Sequence, residues 1–407
     1  MSATAPLAFD PADEAVRRDP FAVFARLRDE DPVHWSPALR TWVVTRYDDV
    51  RDVAMTPDLS PNRLKPFYAS LKDERRTMLA EVMRYLSVWL VFRDPPEHTR
   101  LRRLLNGVIN PKVVAAMRPS IRRVVDEVLD RVAGRDEVDF AAEVAALVPA
   151  WVILDMLGIA RERFDEIKVW SDDMRTFIGT SRGEPARYER VQRGAHAMAA
   201  FFREAIAERR AEPRDDVISR MIAATDDEGR LSEDELIGTC MLILFGGHET
   251  TTSLLTNGVN ALLDHPDQLE RLRAEPALIE SAVEEFLRYD GPSFSIARVV
   301  AEEHALAGRV LKPGERVYAM VSAANRDPRQ FEQPDALQLD RSPNRHLTFG
   351  FGIHFCLGAP LARLEAQACV AALLERFPRL ARGAGDPEWL DAMVMRGLTR
   401  LPLRLAA

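Results

Sequence analysis

Cys356 is the residue whose surroundings most clearly ask for chemistry. It stands in residues 349–358, FGFGIHFCLG, a glycine-punctuated loop leading into a helix with Pro360 in its first turn. Proline suits that place because the N–H it lacks has no partner within a helix. A sulfur just ahead of a helix start receives free backbone N–H groups and the positive end of the helix dipole. Both favour the thiolate, which is the metal-ligating form of cysteine. Gly350, Gly352 and Gly358 give the backbone room to turn and to approach a flat ligand closely. Cys240 and Cys369 lie within apolar helical runs and read as small buried hydrophobes.

A second segment, residues 244–253 with the sequence LFGGHETTTS, occupies the middle of the longest helix the pattern predicts. Ser232 with Glu235 three residues on forms a capping box, and the apolar pattern continues to about Asp264, before Pro266. At ~1.5 Å per residue that helix is roughly 50 Å long, enough to cross a molecule of this size. Gly246 and Gly247 each cost it about 1 kcal/mol relative to Ala, and the threonines beyond them bond back onto the backbone. Either another helix packs closely on the two glycines or a ligand lies there. His248-Glu249 also opens the zinc pattern H-E-x-x-H, but position 252 is Thr. Without the second imidazole on the same face, zinc is not held.

The pattern F-x-x-G-x-H-x-C-x-G resembles the haem-binding loop of the cytochromes P450. At this chain's own residue frequencies a chance match is on the order of one in a hundred thousand, so the likeness is specific. Glu285-Phe286-Leu287-Arg288 is similar to the family's E-x-x-R, and residues 246–250, GGHET, to its A/G-G-x-D/E-T. His98 and Arg102 in DPPEHTRLRR, together with Arg298 and His354, resemble its haem-propionate ligands. The likeness runs from about Asp19 to the C-terminus.

The resemblance implies a P450-like fold, mainly α with small β-sheets, whose long central helix crosses haem b. Cys356 is then the proximal iron ligand, with Phe349, Gly358, Gly246 and Gly247 against the macrocycle. A local opening of the long helix would make room for O₂ and water there, and Glu249 and Thr250 would deliver protons. Glu285 and Arg288 would be buried and lock the segment before the Cys loop, with Arg341 or His346 as a third partner. The implied activity is that of a monooxygenase: one atom of O₂ enters a mainly apolar organic small molecule, by hydroxylation or epoxidation, and the other leaves as water. Implied pocket stretches are residues 62–92, the region around 177–188, 293–296 and 393–395, with Trp89, Phe177, Leu242, Phe245, Phe294, Ile296 and Met395 as candidates. Two other readings use the same residues: a haem sensor or carrier without turnover, against which the Glu249–Thr250 pair speaks, and a haem-free fold in which every motif is structural.

The elements that must position these groups are mostly helices. Apolar residues recur at three- and four-residue spacing over 19–29, 119–132, 162–178, 188–209, 276–289 and 360–377, with short β-rich pieces at 41–45, 298–300 and 317–321. No repeat or linker divides the chain, so residues 1–407 read as one domain. The 407 residues carry 55 Lys plus Arg against 63 Asp plus Glu, a net charge of −8, which is not the basic excess a nucleic-acid binder needs. Three cysteines are too few for a disulfide framework or a four-cysteine iron–sulfur cluster. The first residues lack the basic-then-apolar pattern of a targeting segment, and no apolar stretch approaches the ~18 residues of a membrane span. A cytoplasmic monomer is expected.

Only 49 residues follow Gly358, too few for a reductase domain, and no G-x-G-x-x-G occurs. Electrons from NAD(P)H must therefore arrive through a separate partner, expected to be a ferredoxin with its ferredoxin reductase. The expected docking face lies near Cys356 and carries Arg100, Arg103 and Arg363, which would steer an acidic partner.

Overall fold

The computed structural model describes residues 7, 9–180, 186–226 and 229–405. The helices that build the site are α1 (Glu97–Val108), α2 (Leu147–Leu157), α3 (Phe164–Ile178), α4 (Arg187–Ala211), α5 (Glu233–Asp264), α6 (Ile279–Asp290) and α7 (Ala359–Arg376). The capping box forms as the spacing predicts. Ser232 Oγ accepts from the Glu235 N–H at 3.3 Å, and the Glu235 carboxylate accepts from the Ser232 N–H at 2.9 Å. From there α5 runs for 32 residues, packed against α2, α4, α6 and α7. A helix enclosed on all sides needs apolar residues around its whole circumference, and α5 has them.

A five-stranded sheet flanks the helices, built from β1 (Val33–Ser36), β2 (Thr41–Val44), β3 (Leu59–Ser60), β4 (Ile296–Val300) and β5 (Arg316–Ala319) in the spatial order β1-β2-β5-β4-β3. β5 pairs parallel with β2, and the other neighbours are antiparallel. The alternation along β4 puts Ile296 and Arg298 on one face. The third β-rich piece is shorter than its composition suggests. β5 ends at Ala319, and Val321–Ala324 turn as a helix because the Ala324 N–H returns to the Met320 carbonyl at 3.0 Å.

The segment ahead of the Cys loop is pinned by a buried charge network. Glu285 and Arg288 have no exposed surface and meet twice, at 2.8 and 2.7 Å. Arg341 Nε adds a contact at 3.1 Å, the Asn344 amide another at 3.1 Å, and the Gln338 N–H one at 2.9 Å. Arg288 also donates to the carbonyls of Asn325, Pro334 and Ala336, so the pair is satisfied on every side. Of the two expected third partners, it is Arg341. His346 lies instead 3.1 Å from Glu284, the residue before Glu285 in α6. Among the described residues no helix is long and apolar enough to cross a membrane.

Candidate active site

The Cys loop closes on itself. The Cys356 N–H donates to the Phe349 carbonyl and the Gly350 N–H to the Leu347 carbonyl, both at 2.8 Å. Gly350 and Gly352 hold φ of 72° and 67°, the left-handed region that glycine reaches without strain. α7 then begins at Ala359 with Pro360 in its first turn, as expected. Burial pushes the Cys356 thiol above its ordinary range, against the expectation of a ready thiolate. The Gly358 and Ala359 N–H groups, Arg102 and Arg363 all pull the other way. A cation on the sulfur is what tips this balance, since a metal-bound thiol is deprotonated outright.

Across from the sulfur lies a cavity of about 350 Å³. Phe349, His354, Cys356 and Gly358 of the Cys loop border it, and so do Gly246, Gly247 and Thr250 of α5. The two glycines do different work. A Cβ on Gly246 would meet nothing nearer than Leu242 at 3.8 Å, so this glycine opens onto the cavity. On Gly247 a Cβ would lie 2.4 Å from Ile153 Cδ1, so this one lets α2 pack against α5. α5 is not locally opened here. The hydroxyls of Thr250, Thr251, Thr252 and Ser253 each bond the carbonyl four residues back, at 2.9, 3.3, 2.9 and 3.1 Å, and the helix continues.

Basic groups gather at one edge. The His98 and His354 rings lie 4.2 Å apart, Arg102 donates to the Phe355 carbonyl at 2.6 Å, and buried Arg298 donates to Ala297 at 3.0 Å. Neither ring nitrogen of His98 has a hydrogen-bond partner among the described residues, though the residue is only 1% exposed. Burial, then Arg298, His98 and Arg102, push the His354 imidazole down to about 3. Four basic side chains with no ion pair among the described residues fit a ligand that brings carboxylates of its own. Among the described residues no cluster of three His, Cys, Asp or Glu side chains could hold a bare metal ion, so an iron here needs ligands beyond the protein. A flat macrocycle with two propionates, lying on a single sulfur, meets both conditions.

The cytochrome P450 family model matches residues 68–402. The chain belongs to the cytochrome P450 family. It is 38% identical to cytochrome P450 107B1 of Saccharopolyspora erythraea, over 97% of each chain. It is 35% identical to 6-deoxyerythronolide B hydroxylase of the same organism, over 97% of this chain and 98% of that one. The crystal structure of CalO2 superposes with a TM-score of 0.90 at 32% identity, covering 98% of this chain and 99% of that one. This P450 is a haem-b monooxygenase that uses O₂ and electrons passed from NAD(P)H by redox partners.

The two α5 residues expected to deliver protons are placed unequally in this P450. Thr250 borders the cavity, whereas Glu249 does not. The Glu249 carboxylate lies 3.1 Å from His248 Nε2, 3.4 Å from Arg175 and 3.8 Å from Lys168. Burial alone would raise its pKa, but His248, Arg175 and Lys168 together hold it at about 2.

A second acid was missed by the sequence reasoning. Glu365 of α7 borders the cavity, is fully buried, and neither of its oxygens has a hydrogen-bond partner. Burial pushes its pKa well above the ordinary carboxylate range, and Thr251 opposes. The available signal was an acid on the same helical face as Leu361 and Cys369, four residues to either side of it.

Of the pocket candidates, Trp89, Leu242, Phe245, Ile296 and Met395 line the cavity. Phe177 does not; it faces an adjoining chamber, packed 5.5 Å from Phe67. Phe294 belongs to a separate apolar core, 5.6 Å from Phe24, because β4 starts two residues later. Part of the expected stretch around 177–188 lies outside the described residues. Two of the three arginines of the expected docking cluster are committed to acids. Arg100 pairs with Glu235, while Arg363 pairs with Glu284 at 2.6 Å and lies over the Phe349 ring. Ile353 and Phe355 of the Cys loop leave apolar surface exposed instead.

Proposed function

We propose that Cys356 is the axial thiolate of haem b, that His98, Arg102, Arg298 and His354 hold its propionates, and that Thr250, Glu249 and Glu365 manage protons for oxygen insertion into a mainly apolar substrate. What carries the reading is that Cys356 and Thr250 border one cavity, with His354 and Arg298 also lining it and the unpartnered His98 ring packed against His354. When bound, the haem supplies iron that activates O₂, and sulfur donation favours O–O cleavage.

The chain's own residues then have distinct tasks. Phe349 and Gly358 flank the sulfur, and Gly246 leaves the opposite face uncrowded. Gly247, packed on Ile153, seats α5 at that height. The Thr250 hydroxyl, now donating to the Gly246 carbonyl, swings to hold a proton at Oγ1 toward the cavity. Glu249 collects protons on the far side of α5, which requires it to release Arg175 or Lys168 first. Glu365, its pKa raised by burial, holds a proton beside Thr251. Trp89, Leu242, Phe245, Ile296 and Met395 keep water out and hold the substrate, while Phe177 guides it through the adjoining chamber. Glu285 and Arg288 keep the Cys loop in register.

The electron donor in this reading is a ferredoxin with its reductase. It docks by the apolar surface of Ile353 and Phe355 and by exposed Arg103, in the cytoplasm, on a monomeric single-domain chain. The deciding experiment is the absorbance of the reduced protein under CO. The wild type should give the red-shifted thiolate band, and Cys356→His should move it to shorter wavelength. A Cys356→Ala variant that kept the thiolate band would overturn the ligand assignment.

A further inference from the structure

Past Phe92, Ile178 and Ala297 the main cavity adjoins a second chamber of about 170 Å³. Arg63 and Arg298 border both spaces. The described residues lining the second chamber include Arg63, Arg187, Arg298 and Arg316, and no Asp or Glu. Its other walls are largely aromatic, with Phe67, Phe177 and Tyr188 in mutual contact.

Among the described residues Arg63 meets no acid. Its guanidinium donates to the Ile178 carbonyl at 2.9 Å and to Thr180 Oγ1 at 3.3 Å, and it lies 5.3 Å from the Phe92 ring centre. All three partners are neutral. Burial lowers its pKa, Tyr318 opposes, and Arg316 adds to the lowering. A guanidinium nonetheless stays charged in a protein, so the fold keeps a partly buried cation with no counter-ion among the described residues. Arg298 is different. Asp94 acts on it, and it is one of the charges that act on His354 at the propionate edge. Arg63 instead sits where the end of α3 meets the segment after β3, on the route between the two spaces.

We infer that Arg63 is a specificity residue that pairs with the carboxylate of an amphipathic organic acid. The acid's head lies in the second chamber, and its apolar body passes Phe92 and Ile178 into the cavity beside Thr250. Oxidation then falls on carbon remote from the carboxylate. The inference rests on the haem reading of the main cavity, and it narrows the substrate class from apolar molecules in general to long-chain monocarboxylic acids.

The test titrates the haem-loaded protein with straight-chain acids from decanoic to octadecanoic and with their methyl esters. The low-to-high-spin shift of the haem band is followed, with calorimetry alongside. At least one acid should bind about tenfold or more tightly than its ester, the size expected for a charge-assisted contact. Arg63→Met should erase that preference while leaving ester affinity unchanged, and Arg63→Lys should keep part of it; Arg63→Gln replaces Arg63→Met if the latter does not fold. Equal binding of every acid and its ester by the wild type would overturn the inference. So would an equal loss of acid and ester affinity in the variant, or loss of haem, which would make Arg63 a propionate partner. A wild type without the thiolate CO band would defeat the haem reading instead, and calorimetry would still report whether Arg63 prefers the acid.

Discussion

His98 and His354 lie ring to ring at 4.2 Å, and neither nitrogen of His98 finds a hydrogen-bond partner among the described residues. Neutral rings pack at that distance, so it is the unpartnered nitrogens that leave room for an anionic ligand. Burial and its basic neighbours hold His354 down at about 3, against 6.5 for a free imidazole. The unfolded chain therefore binds a proton there that the folded, haem-stripped protein does not. Its stability should fall as pH drops from 6.5 towards 3, by at most about 1.4 kcal/mol per pH unit and less where solvent screens the ring. Urea unfolding of the stripped protein across that range should show the slope, and His354→Gln should flatten it. Loading with haem should flatten it too.

Thr250→Ala should leave haem and substrate binding intact, because the side chain borders the cavity but holds up nothing beyond its own Gly246 carbonyl. Proton delivery should suffer, by roughly 10²- to 10⁴-fold in the step it serves. The measurement is the ratio of product formed to NAD(P)H consumed, with peroxide assayed alongside. Unchanged coupling would remove the hydroxyl from the mechanism.

Glu285→Gln strands Arg288, Arg341 and the Asn344 amide around a neutral group in a site with no solvent. Breaking a buried pair from one side costs about 3–5 kcal/mol. Thermal unfolding should show a loss of that size, and haem content should fall with it, because this network pins the segment feeding the Cys loop. A variant with wild-type stability would show that the other donors to the network suffice.

Glu365 makes a prediction of opposite sign to His354. Its folded pKa is raised, so the folded protein keeps a proton that the unfolded chain gives up. Stability contributed by this group is complete at low pH and declines as pH rises above the ordinary carboxylate value, by about 1.4 kcal/mol per unit until the folded pKa is passed. Glu365→Gln, which keeps the shape and removes the titration, should be the more stable protein at pH 8 and should lose the advantage near pH 4. Parallel denaturation curves at both pH values decide it. Product coupling in the same variant then reports whether the proton at Glu365 is used in turnover.

Much of this P450 was legible because its signals are local in the chain. The Ser232–Glu235 box, the extent of α5, the glycine turn at residues 349–358 and the helix start beside Pro360 each depend on atoms a few residues apart. The shape of the Cys loop was equally readable, since the sulfur, its N–H donors and the helix behind it are contiguous, but the charge state of the sulfur was not, because burial raises the thiol's pKa. Phe294 was misread for the complementary reason. An aromatic at a strand start carries no mark of whether it faces a cavity or Phe24 across the fold.

The sequence by itself determined which helix crosses the site, which sulfur borders it, and which acid and alcohol share that helix's centre. Only the tertiary structure decided that Gly246 opens onto the cavity while Gly247 seats Ile153, that Arg341 rather than His346 completes the Glu285–Arg288 network, and that Glu249 is locked among cations. It alone brought Glu365 and Arg63 to the cavity walls. The physical reason is the range of the forces. Caps and turns are set by bonds between near neighbours in sequence. The charge state of a buried group depends on what packs around it, and its partners come from segments tens to hundreds of residues away, brought together only when the apolar faces of α2, α5, α6 and α7 close on one another.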